Sequence, residues 1–97
     1  MIYAELDYEA HYSALHGELV ALVEASFATT QHGLQGDSWI WIFEGDEKVA
    51  IDTFSSMKHQ VKSASREGRL ARKVIALLAE RYRVNEYPEP ELEPHED

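Results

Sequence analysis

The run Trp39-Ile40-Trp41-Ile42-Phe43-Glu44-Gly45-Asp46-Glu47-Lys48-Val49-Ala50-Ile51-Asp52-Thr53-Phe54 decides how this chain is read. Two aromatic and β-branched runs flank a short polar segment containing a glycine, which is the pattern of a β-hairpin. A two-residue turn at Gly45-Asp46 pairs Phe43 with Lys48, Ile42 with Val49 and Ile40 with Ile51, and a four-residue loop gives the same register. Trp41 then stands opposite Ala50, and Trp39 opposite Asp52. Ile40, Ile42, Val49 and Ile51 share one face. Trp39, Trp41, Phe43 and Phe54 share the other with Ala50 and Asp52. Both faces are apolar and both need cover.

On the N-terminal side, Met1 to Leu6 alternates weakly and reads as an edge strand or an extended arm. Asp7 is the expected N-cap of a helix over Tyr8 to Phe27. Tyr8, Tyr12, Leu15, Leu19, Leu22, Val23 and Phe27 form its apolar stripe, with Glu9, His11, Ser13, His16 and Glu24 falling mainly outside it. Gly17 costs this helix roughly 1 kcal/mol relative to alanine and suggests close approach by another backbone. Residues 29–37, with Gly33 and Gly36, read as a loop.

On the C-terminal side, Met57 to Ser63 alternates as a third strand, and Ser63 to Gly68 is turn-like. Arg69 to Tyr82 is a second amphipathic helix, with Leu70, Val74, Leu77, Leu78 and Tyr82 inward. Val84 to Tyr87 is compatible with a short edge strand. From Pro88 an acidic, proline-spaced tail is expected to be disordered or PPII-like. The expected fold is α+β: a two-layer sandwich in which a three-stranded antiparallel meander packs against an N-terminal and a C-terminal helix (α-β-β-β-α). A single domain would span 1–87 and the tail 88–97.

The chain has 97 residues, 44% of them apolar, which suits one small core. With no cysteine, disulfides, thiolate nucleophiles and cysteine zinc sites are excluded. No basic segment precedes an apolar run at the N-terminus, so no signal peptide is expected. The longest wholly apolar stretch, Trp39 to Phe43, is far short of the ~20 residues of a membrane span. A soluble, cytoplasmic protein is the resulting expectation.

The net charge of −9 opposes simple nucleic-acid binding. That charge is partitioned. Residues 1–47 carry nine acids and no lysine or arginine; residues 48–83 carry all nine bases and three acids; residues 84–97 carry six acids. Ordinary solvation of exposed charge is one reading. The other is an acidic face for a basic partner.

Candidate catalytic groups are weak. Asp52, Ser55, Ser56 and His59 supply the residue types of a hydrolase triad but no nucleophile elbow, and they read instead as local backbone-bonding groups where a strand ends. His11 and His16 lie about 140° apart around a helix and cannot share a metal. His32, His59 and His95 complete the set, and only the tail run His95-Glu96-Asp97 groups potential ligands. Gly33-x-x-Gly36 lacks the lysine and preceding strand of a phosphate loop. No catalytic residue, metal or cofactor is therefore expected.

The aromatic side of the hairpin is the leading binding surface. It consists of Trp39, Trp41, Phe43, Phe54 and Asp52, and it is either covered by a helix or loop or open as a docking or homodimer seam. The leading function is a small acidic non-enzymatic binding protein acting through protein–protein contacts, of the inhibitor, immunity or adaptor type. The alternative is a nucleic-acid-associated module. It would use a basic surface of Lys58, Lys62, Arg69, Arg72 and Lys73, masked by the acidic tail.

Overall fold

A computed structural model describes residues 1–93. The hairpin forms as its sequence dictates: β3 (Asp37–Glu44) pairs with β4 (Glu47–Asp52), with Ile40 opposite Ile51, Trp41 opposite Ala50 and Trp39 opposite Asp52. Gly45, at φ 60°, supplies the left-handed residue of the two-residue turn. Around this ribbon the remaining elements are β1 (Ile2–Asp7), α1 (Tyr12–Ser26), β2 (Thr29–Gln35), β5 (Gln60–Ser63), α2 (Arg69–Ala79) and β6 (Arg83–Glu91). The strands make one antiparallel sheet in the order β2-β3-β4-β5-β1-β6.

The class is α+β as expected, but the sheet has six strands rather than a three-stranded meander. The extra strands have separate physical causes. β1 is an interior strand between β5 and β6, not an edge or an arm. Its alternation is weak in sequence because a bulge between Ile2 and Ala4 leaves Ile2, Tyr3 and Ala4 all buried. The Tyr3 ring lies against Gly68, where a Cβ would come within 2.6 Å of it, and its hydroxyl donates to the Ser65 carbonyl.

β2 occupies the segment expected to be a loop. Thr29 to Gln35 pairs residue by residue with Phe43 to Asp37. A polar, glycine-containing edge strand needs only one neighbour's backbone, because its outer side faces water.

β6 runs through Pro88 and Pro90 to Glu91, across the expected start of the tail at residue 88, with Glu91 opposite Ile2. Proline is tolerated there because an edge strand can spare N–H groups. The tail residues 94–97, including His95, lie outside the described residues.

α1 begins at Tyr12, and His11 rather than Asp7 caps it, Nδ1 accepting from the Ser13 N–H at 3.2 Å. Asp7 ends β1 instead. Gly17 meets no neighbouring backbone.

Both helices cover the isoleucine face. Leu15, Leu19 and Val23 of α1 and Leu70, Val74 and Leu78 of α2 close over Ala4, Leu6, Ile40, Ile42, Val49, Ile51 and Val61, all fully or nearly fully buried. Each such valine, leucine or isoleucine contributes about 1.5–3 kcal/mol of transfer free energy. Among the described residues no helix is long and apolar enough to cross a membrane.

Candidate functional site

The face opposite the helices is where the sequence placed its aromatic cluster. Register builds it in rows. Trp41, Ala50 and Lys62 line up across β3, β4 and β5, and Trp39, Asp52, Gln60 and Glu5 line up across β3, β4, β5 and β1. Trp39 and Trp41, two apart on one strand, place their ring centroids 4.5 Å apart at 40°. Trp39 reaches outward over β2 because Gly33 lies beneath it; a Cβ there would meet the indole at 2.5 Å. Trp39, Trp41 and Phe43 are half-buried, and Phe54, just past β4, is 53% exposed.

Small Ala50 between bulky Trp41 and Phe54 leaves a cleft of about 670 Å³. Its walls are Trp41 and Phe54, with Met1 and the Ser63–Ser65 turn closing one side and Glu93 another. Lys62 is buried in the floor, its Nζ 2.6 Å from Asp52 Oδ1 and 2.6 Å from Glu93 Oε2. Burial alone would lower the ammonium pKa, but the bonds to the two carboxylates outweigh it and hold Lys62 charged above the usual lysine range. Glu93 also accepts from Ser55 Oγ at 2.7 Å. Counting the whole described lining, Asp46, Glu47, Asp52 and Glu93 face Lys48, Lys62 and the Met1 ammonium, a net of one negative charge. On the aromatic rim Lys48 Nζ sits 3.9 Å from the Trp41 centroid, so this ring already receives a cation. The arrangement offers an aromatic wall and residual negative charge, which suits a cationic group with an apolar stem.

Other expected site residues disperse. Asp52 Oδ1 accepts from the Phe54 N–H at 3.2 Å and Ser56 Oγ from the Lys58 N–H at 3.1 Å, the local backbone bonding that the sequence suggested. Ser55 turns to Glu93, and His59 points through the sheet to the helix side. The basic residues do not form one surface. Lys62 lies in the aromatic face, and Lys58 Nζ donates to the Tyr8 carbonyl. Arg69, Arg72 and Lys73 ride the outer side of α2 in the opposite layer. Arg69 there pairs with Glu67, Arg72 donates to the Glu67 carbonyl, and Lys73 reaches Glu44 at 2.7 Å.

A buried polar chain between helix α1 and the sheet escaped the sequence reading. Ser38 Oγ lies 2.7 Å from His16 Nδ1 and 2.8 Å from His59 Nε2, and His59 Nδ1 lies 2.8 Å from the Tyr8 hydroxyl. His16, expected outside the apolar stripe, is therefore buried. It follows Tyr12 by four residues and precedes Val20 by four, a spacing that placed it inward. Burial, and to a lesser extent the neighbouring His16, pushes His59 down to about 4; burial and then His32 lower His16. Both rings are thus neutral at pH 7, and each neutral ring supplies the one donor and one acceptor that such a chain uses. Ser38 and His59 are fully buried. Among the described residues no cluster of three or more His, Asp or Glu side chains is placed to hold a metal ion.

No protein-family model, curated protein or solved structure matches this chain.

Proposed function

We propose that this chain is a small non-catalytic binding protein that docks a protein partner on the aromatic face of its sheet. The observation that carries this reading is the one-sided cover of the sheet. Both helices pack on the isoleucine face, leaving Trp39, Trp41, Phe43 and Phe54 on the other, where Trp41 and Phe54 wall a cleft. Tryptophan-rich, partly desolvated patches are where interface energy concentrates.

Charge selects the partner's chemistry. The cleft carries Asp46, Glu47, Asp52 and Glu93 against Lys48, Lys62 and the Met1 ammonium, within a chain of net charge −9. A segment presenting arginine or lysine beside apolar residues complements it: the apolar part covers Trp41 and Phe54, and the cation meets the carboxylates of the lining. An inhibitor, immunity-type protein or adaptor for a basic partner would work this way. The nucleic-acid alternative draws less support, because Lys62 is consumed by Asp52 and Glu93 and the arginines lie in the other layer.

Parallel affinity capture with the wild type and Trp41→Ala tests the proposal. The expected result is a basic protein retained by the wild type, lost in high salt and lost with Trp41→Ala at unchanged fold. Retention of the same proteins by both baits, or salt-sensitive capture of nucleic acid alone, would overturn it.

A further inference from the structure

The sheet has two edges, and they are treated differently. β6 is guarded: Pro88 and Pro90 remove N–H donors, and Glu86, Glu89 and Glu91 put like charge along the strand. β2 has no such device. Residues 25–36 contain no aspartate, glutamate, lysine, arginine or proline, although acids bound the stretch at Glu24 and Asp37. The strand is seven residues long and mostly exposed, with Leu34 at 43%.

Its free backbone groups can be assigned. Ser38 turns both main-chain groups toward β4: its carbonyl accepts from Thr53 N at 3.1 Å, and its N–H donates to Thr53 Oγ1 at 3.1 Å. Alternation along β3 then aims Trp39, Trp41 and Phe43 at β2, where they bond Gly33, Gln31 and Thr29. The N–H and C=O groups of Thr30, His32 and Leu34 point away from the sheet.

We propose that β2 pairs antiparallel with β2 of a second copy, giving a two-fold symmetric dimer with a continuous twelve-stranded sheet. The absence of charge chooses the occupant. Two molecules of net charge −9 repel wherever their acidic surfaces meet, and this stretch is where they approach without that cost; a basic partner finds no carboxylate here to grip. Pairing also closes on itself, because the other edge of the described sheet is guarded, so the product is a dimer and not a fibre. The two-fold passes at His32, the middle of the strand. It sets Thr30 against Leu34 of the second copy, so each exposed Leu34 is covered, and it joins outward-pointing groups only to outward-pointing groups. With the axis perpendicular to the sheet, the two Trp39–Trp41 faces lie on the same side.

The test is sedimentation equilibrium with amide hydrogen exchange on the full chain. The wild type is expected to dimerise reversibly, with the Thr30, His32 and Leu34 amides protected. Leu34→Pro removes an outward N–H without touching the β2–β3 ladder. Thr30→Glu with Leu34→Glu sets like charges across the seam. Each is expected to weaken dimerisation about tenfold or more. Thr30→Lys with Leu34→Glu sets opposite charges across it and is expected to restore the dimer, which keeps the test decisive even if the proline variant fails to fold. A wild type that stays monomeric at every concentration overturns the proposal. So does a dimer indifferent to both charge pairs with those three amides exchanging freely.

Discussion

Lowering the pH from 7 to 5 is expected to destabilise this protein through His59. The ring is fully buried, bonded to Ser38 at 2.8 Å and Tyr8 at 2.8 Å, and burial holds its pKa at about 4 against 6.5 when unfolded. Because the folded value is depressed, the unfolded chain takes up a proton first as the pH falls. The stabilisation is therefore complete above pH 6.5 and is lost progressively down to about pH 4. At about 1.4 kcal/mol per unit, the whole window is worth about 3 kcal/mol, of which about 2 kcal/mol has gone by pH 5. His16, lowered in the same direction, adds to the loss. Relief of acidic self-repulsion works the other way, so the informative quantity is a difference between variants. Urea unfolding of the wild type and His59→Gln at pH 7 and pH 5 isolates it. Glutamine keeps a donor and an acceptor but does not titrate. The wild type is expected to lose about 2 kcal/mol more than the variant between the two pH values. An equal loss in both would refute the assignment of His59 as a buried neutral ring.

Three further perturbations follow from the packing. Ile51→Ala should cost about 2–5 kcal/mol in urea melts and Trp41→Ala clearly less, since one side chain lies between helices and sheet and the other on the open face; the reverse order would place the core on the wrong side. Lys62→Ala leaves Asp52 buried beside an empty position and should cost about 3–5 kcal/mol at pH 7. Gly17→Ala meets no atom within 4 Å on an exposed helical turn and should raise stability by about 0.5–1 kcal/mol, read as a higher melting temperature.

What was legible in the sequence was local. The β3–β4 register follows from alternation and one short turn, so every pair from Trp39–Asp52 to Phe43–Lys48 is found as read. The division of the hairpin into an isoleucine core face and a tryptophan face follows from the same alternation. The interior place of β1 and the whole of β2 were not legible, because a bulge disguises the first and a solvent-facing edge leaves the second polar. The Lys62 group needed Glu93, which arrives only because β6 carries the chain back across the sheet. The Tyr8–His59–Ser38–His16 chain joins four elements or their ends from residues 21 to 51 positions apart, a distance over which periodicity carries no signal.

Both tryptophans of the chain, Trp39 and Trp41, lie on the proposed docking face, so intrinsic tryptophan fluorescence reports that face alone. The most direct test is a fluorescence titration with two synthetic peptides of equal length. One alternates arginine with leucine, the other glutamate with leucine, and acrylamide quenching is measured at each point. The account predicts that the arginine peptide shifts the emission and shields it from acrylamide, with the effect weakened by salt, while the glutamate peptide does nothing. Saturable binding of the arginine peptide with emission and quenching unchanged would place the binding surface elsewhere and contradict the account.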